Sequence, residues 1–126
     1  MKGREINDMR KLKLTIKEKE YILEYNRDSI KWLEAVGFNI DDLTKKPLTC
    51  QELLWQALFV KNYANTVNPN LAMKLMDSYI EEKGKDGQTL FNQIIKFAVE
   101  EYLAFIDALA GTNSEETTEK LEIIEQ

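Results

Sequence analysis

Three pairs of adjacent carboxylates, Asp41 with Asp42, Glu81 with Glu82 and Glu100 with Glu101, together with one cysteine, Cys50, are the side chains here that chemistry would have to use. Histidine is absent, which removes imidazole acid–base catalysis, the Ser-His-Asp and Cys-His nucleophile systems and the usual zinc and di-iron ligand sets. Two carboxylates serve a glycosidase or a metal only when they converge, and helical neighbours point about 100° apart. Each pair therefore reads as a solvated face. The run "NIDDLTKK" lacks the D-x-D-x-D-G spacing of a calcium loop. The glycines stand singly except in "KGKDG", which is neither a phosphate loop nor a dinucleotide fingerprint. An enzyme of this composition would need Glu81, Glu100 or Asp107 to converge in a pocket with a raised pKa. No catalytic residue, cofactor or metal is expected.

Charge is uneven along the 126 residues, whose net charge is −5. Thr112 to Gln126 carries five glutamates, Glu115, Glu116, Glu119, Glu122 and Glu125, against Lys120 alone, and so holds most of that charge. Residues 1–20 lean basic through "RKLKLTIKEK". A nucleic-acid role driven by phosphate neutralisation has little support from such a balance, and no aromatics interleave with the lysines as they would in a single-strand platform. The apolar runs are far short of the roughly 20 residues that span a bilayer, and "MKGREINDMRK" lacks the apolar region of a signal peptide. Neither a membrane nor a nucleic-acid partner is expected. A lone Cys50 allows no internal disulfide and fits a reducing compartment, so a cytoplasmic location is expected.

The elements that position these groups follow from periodicity. Leu12, Leu14 and Ile16 alternate with Lys11, Lys13 and Thr15, and Tyr21, Leu23 and Tyr25 alternate with Ile22 and Glu24. This period of two predicts an antiparallel hairpin over about 11–25, with "KEKE" as its polar turn. Such a ribbon is marginal alone and must pack on something or join another chain's sheet. Asn26 then caps a helix over 27–36, with Asp28 in its first turn, Ile30, Leu33 and Val36 inward, and Gly37 and Phe38 as a Schellman ending.

"PLTCQELL" predicts the second helix over 50–64, through a Thr49/Glu52 capping box and a Leu48/Leu53 staple. Asn68-Pro69 opens a third over 70–83, ended by Gly84. A fourth runs over 87–110, with "DGQT" as its cap region, and carries Leu90, Phe91, Ile94, Ile95, Ala98, Val99, Tyr102, Leu103, Ile106 and Leu109. The expected fold is mainly α with a small N-terminal β-hairpin, about four helices around one core. The expected layout is one domain over 1–111 and an acidic tail over 112–126.

Within the second helix Leu53, Leu54, Ala57 and Leu58 make one apolar face, and Trp55, Phe59 and Tyr63 make another. If the first face fills the core, the second is free for a partner. Tyr21, Leu23 and Tyr25 of the hairpin, with Trp55, Phe59 and Tyr63, are accordingly the candidate protein-binding residues.

"YILEYNRDSIKWLEAVGF", followed about ten residues on by "KPLTCQELLWQALFVKNYA", resembles the small tail assembly chaperones of tailed bacteriophages and prophages of Gram-positive hosts. Glu24, Tyr25, Asn26, Arg27, Ser29, Gly37, Phe38, Pro47, Leu58 and Phe59 carry the likeness, over about residues 12–64. It implies a non-enzymatic role: binding the long, apolar, helical tape measure protein, keeping it soluble and delivering it to the tail tube protein. It also implies action in several copies, so a homo-oligomer is expected. The rival reading is a small helical regulatory or adaptor protein that acts as a dimer through protein–protein contacts.

Overall fold

A computed structural model describes residues 10–110. Leu12–Ile16 (β1) and Lys19–Leu23 (β2) form an antiparallel ribbon in the register Leu12↔Leu23, Leu14↔Tyr21 and Ile16↔Lys19. Leu14, Ile16, Tyr21 and Leu23 are buried along one face, as the alternation predicts. The turn is tighter than expected. Lys17 and Glu18 alone make it, at φ of 50° and 67°, while Lys19 and Glu20 pair within the sheet. Positive φ at both central residues is the geometry that matches strand twist, and it costs an ordinary side chain roughly 1–2 kcal/mol per residue. Replacing Lys17 by Asn and Glu18 by Gly is expected to raise stability by about 1 kcal/mol in urea unfolding. An unchanged midpoint would mean that the turn does not hold this conformation.

Arg27–Ala35 (α1) begins and ends as its residues require. Asn26 Oδ1 accepts from the Ser29 N–H at 3.0 Å, and Ser29 Oγ accepts from the Asn26 N–H at 3.1 Å, a reciprocal cap. At the far end Gly37 takes φ of 81°, the Phe38 N–H reaches the Leu33 carbonyl at 2.9 Å and the Gly37 N–H reaches that of Glu34 at 3.1 Å. That is the Schellman pattern. Val36, expected inside, is instead 42% exposed at this terminus.

A short turn of helix not foreseen, Asp42–Lys45 (α2), leads to Pro47–Ala57 (α3). The predicted start of α3 is corrected: the helix opens on Pro47 at its first position, no side chain caps it, and Leu48 is 73% exposed instead of stapling it. Proline fixes φ and lacks the N–H a cap would satisfy, so the start moves three residues upstream of Cys50.

The predicted helix over 50–64 is also broken in two. In a continuous helix the Leu58 N–H would bond the Leu54 carbonyl. Here the Tyr25 hydroxyl donates to that carbonyl at 2.8 Å, and the N–H groups of Leu58 and Phe59 turn to Trp55 and Gln56 three residues back, each at 3.1 Å. The chain then resumes as Val60–Tyr63 (α4). Its side chains seal the outer edge of β2: the Ile22 N–H donates to Tyr63 Oη at 2.8 Å, and the Ile22 carbonyl accepts from Asn62 Nδ2 at 3.0 Å.

Pro69–Glu82 (α5) starts under an Asn68 cap whose Oδ1 accepts from the Leu71 N–H at 2.8 Å. A 3₁₀ turn, Gly84–Asp86, with Gly84 at φ of 63°, feeds straight into Gly87–Ala110 (α6). At 24 residues α6 is about 36 Å long. The hairpin, α1, α3, α5 and α6 converge on one core centred on Trp55, and the buried stripe of α6 runs from Phe91 through Ile94, Ile95, Ala98 and Glu101 to Phe105. The fold is mainly α with one small hairpin. The acidic tail predicted over 112–126 lies outside the described residues.

Candidate functional site

The six side chains expected to meet a partner are gathered together, but inside the molecule. Leu23 and Trp55 are fully buried, Tyr25 and Phe59 are 1% exposed, Tyr21 is 6% exposed, and Tyr63 is half-buried. Tyr21 packs edge-on against Phe59 at 5.8 Å and Tyr63 at 5.4 Å between ring centroids, and Trp55 sits 5.3 Å from Phe59 and 5.7 Å from Phe91. The Trp55 Nε1–H donates to the Ala72 carbonyl at 2.7 Å. The docking face expected on the second helix is thus corrected to core. α3 packs against α1, α5 and α6, so its apolar residues meet other elements instead of solvent.

The motif around Glu24 is likewise a structural joint. Glu24 is buried and accepts from Lys61 Nζ and Asn62 Nδ2, both at 3.0 Å. Burial pushes its pKa up, but the bonds from Asn62 and Lys61 outweigh this and leave it below the ordinary carboxylate value. Burial raises the Tyr25 hydroxyl well above its usual range, and raises the Cys50 thiol with a smaller push from Asp42, so neither group is poised to ionise. Asn26 and Ser29 are the reciprocal cap. Arg27 is exposed.

A second buried carboxylate ties the start of the hairpin to α6. Glu101 is fully buried and accepts from the Arg10 backbone N–H at 2.8 Å and from Arg10 Nε at 2.6 Å, while Arg10 Nη2 reaches Glu100 at 2.9 Å. The guanidinium also lies 5.1 Å from the Phe97 ring centroid. Glu100 is therefore committed to Arg10, and Glu81 and Asp107 are exposed. The three carboxylates that an enzyme here would need do not converge. Among the described residues no group of three or more His, Cys, Asp or Glu side chains is placed to hold a metal, and no helix is long and apolar enough to cross a membrane.

The surface of the described residues includes two further apolar features. One is a notch of about 180 Å³ in the crook of the α3–α4 break, walled by Trp32, Phe59, Val60, Val67, Pro69 and Ala72. Ligand pockets usually enclose some 300–1,000 Å³, so this one is the size of a single large side chain. The other is the outer face of α6. Val99 and Ile106 are half-buried, Leu103 is 45% exposed and Ala110 is exposed, and these four follow the i, i+4, i+7, i+11 spacing of one helical stripe. Leu109, 46% exposed, continues the line of the core stripe beyond Phe105.

This stripe lies about a third of a turn round from the core stripe, and α6 continues past Phe105, its last fully buried residue, by about 7 Å. Periodicity picks out Val99, Leu103, Ile106 and Leu109, though not Ala110, and merges both stripes into one. The helical wheel separates them only once Glu101, a charged residue, is known to point inward. Phe59 and Pro69 were singled out for other reasons, but nothing in the sequence foretold the notch they share, because a break without glycine or proline assembles it.

A model of the family described as "Domain of unknown function (DUF5055)" matches residues 8–121. No curated protein and no solved structure matches the chain.

Proposed function

The chain belongs to the DUF5055 family, described as a domain of unknown function, and we propose that it is a non-enzymatic assembly chaperone of phage tails, acting in the host cytoplasm. It holds the apolar, helical tape measure protein soluble and passes it to the tail tube protein. The observation that carries this reading is apolar surface on α6 that the core covers only in part: Leu103 and Ala110 with half-buried Val99 and Ile106, and Leu109 beyond the last buried turn. A long amphipathic helix is bound by laying its apolar face along such a stripe. One stripe of a few residues binds weakly, and several copies along one client make the sum strong. The resemblance over residues 12–64 supports the same reading, though its residues work on the fold rather than on the client.

The test is co-expression with a long, tape-measure-like helical chain, followed by co-purification and light scattering. A soluble complex with several copies bound is expected. Leu103→Glu with Leu109→Glu is expected to weaken client capture by about tenfold or more, the cost of burying charge against an apolar face. Both positions are nearly half exposed, so the variant should melt as wild type does. If wild-type protein leaves the client aggregating and forms only a compact dimer, the adaptor reading takes the place of this one.

A further inference from the structure

The two edges of the hairpin are unlike. Ile22 turns both its N–H and its carbonyl outward from β2, where Tyr63 and Asn62 bond them. Ile22 is paired with Lys13, and the partners of an antiparallel pair either exchange both bonds or turn both groups away, so Lys13 points its N–H and carbonyl outward from β1. Thr15, two residues on, repeats that orientation. No described residue bonds these groups. The edge closes only at its turn end, where the Lys17 N–H donates to Glu82 Oε2 at 2.6 Å. Lys11, Lys13 and Thr15 are exposed, and an open edge of this kind is a template for one more strand.

Charge and reach identify that strand. Residues 10–17, RKLKLTIK, carry Arg10, Lys11, Lys13 and Lys17 and no acid, whereas residues 112–126 carry five glutamates against Lys120. We propose that this acidic segment of the same chain returns to the hairpin and adds to β1 as a third strand alongside Lys11–Thr15. Glu101, the α6 residue that holds Arg10, stands nine residues before Ala110, about 14 Å along the axis. Residues 111–126, extended, span about 50 Å, and β1 takes up about 17 Å of that. The segment is long enough for the return and the strand together. Its sequence suits the place. In LEIIE, Leu121 and Ile123 fall on one face, with Leu12, Leu14 and Ile16 of β1, and Glu122 falls on the other, with Lys11 and Lys13. A second copy fits worse, because β1 set against another β1 brings lysine opposite lysine, which is destabilising. The added strand shields the edge from pairing with other chains, and it does not rest on the client reading.

Amide hydrogen exchange and cross-strand NOEs in the isotope-labelled whole chain test this. The Lys13 N–H is expected to exchange about tenfold or more slower than an open amide, with NOEs joining β1 to the stretch from Glu119 to Glu125. Ile123→Pro together with Ile124→Pro removes two adjacent N–H groups, one of which points at β1 in any register. That variant is expected to return Lys13 to the open rate while the amides of Leu54 and Ala98, both fully buried, keep their wild-type protection. In 1 M salt, where the screening length falls to about 3 Å, the protection of Lys13 is expected to drop in the wild type as well. A mixture of labelled and unlabelled protein is expected to show the NOEs within one molecule only. The salt and NOE measurements use unaltered protein and decide the matter even if the prolines disturb the fold. An open Lys13 amide in the wild type, protection that survives the proline pair or the salt, or NOEs that cross between molecules would each overturn the proposal.

Discussion

Trp55→Ala is expected to cost about 3–5 kcal/mol of stability, the range for truncating a fully buried aromatic. Trp55 is fully buried, touches the rings of Phe59, Tyr79 and Phe91, and donates its indole N–H to the Ala72 carbonyl. It therefore joins α3 to both α5 and α6. Small domains have only about 5–15 kcal/mol in total, so the variant should populate unfolded chain at modest temperature. Urea unfolding followed by circular dichroism reads this directly. Trp55→Phe keeps most of the ring and should lose about 1–2 kcal/mol, mainly through the missing donor. A Trp55→Ala protein within about 1 kcal/mol of wild type would return Trp55 to the surface, and with it the docking face the sequence suggested. Loss of client binding in Trp55→Ala would, by the same argument, report unfolding and not recognition.

Gly87→Ala gives the second large effect, and local and tertiary terms oppose each other there. Gly87 has ordinary helical angles, φ of −57° and ψ of −47°, so alanine should gain up to about 1 kcal/mol from helix propensity. Yet Gly87 is buried, and a Cβ on it would overlap the Ile80 carbonyl oxygen and come within 2.9 Å of the Ile80 carbonyl carbon. Those are backbone atoms of α5, and no side-chain rotation relieves the clash. Overpacking of this kind costs about 1–3 kcal/mol and at times more, so a net loss of about 2 kcal/mol or above is expected in thermal or urea unfolding. A stabilised Gly87→Ala protein would show that α5 and α6 do not approach this closely where they join.

How legible the fold was depended on the range of the interaction. The Asn26 cap, the Gly37–Phe38 ending and the Asn68-Pro69 start are each decided by a side chain or a φ angle within a few residues, and each was readable. The Thr49/Glu52 box failed because Pro47 starts the helix earlier and sets its φ without a cap. The Lys17–Glu18 turn carries no glycine, so only the pairing on either side of it holds the positive φ. The break at Leu58 was invisible because its cause is the Tyr25 hydroxyl on the Leu54 carbonyl, two residues 29 apart along the chain.

The candidate site followed the same division. Periodicity identified α6 and its apolar residues, but whether an apolar side chain is core or surface depends on what else packs there. Trp55 and Phe59 found neighbours on every side; Leu103 and Leu48 did not. By itself, then, the chain's local chemistry determined a hairpin followed by capped helices, with no histidine chemistry available to it. Which apolar faces close on one another, where Tyr25 interrupts α3, and which carboxylate of α6 points inward were decided only in three dimensions. The physical reason is that propensity, capping and turn geometry act over a few residues, whereas burial is shared among elements far apart in the chain.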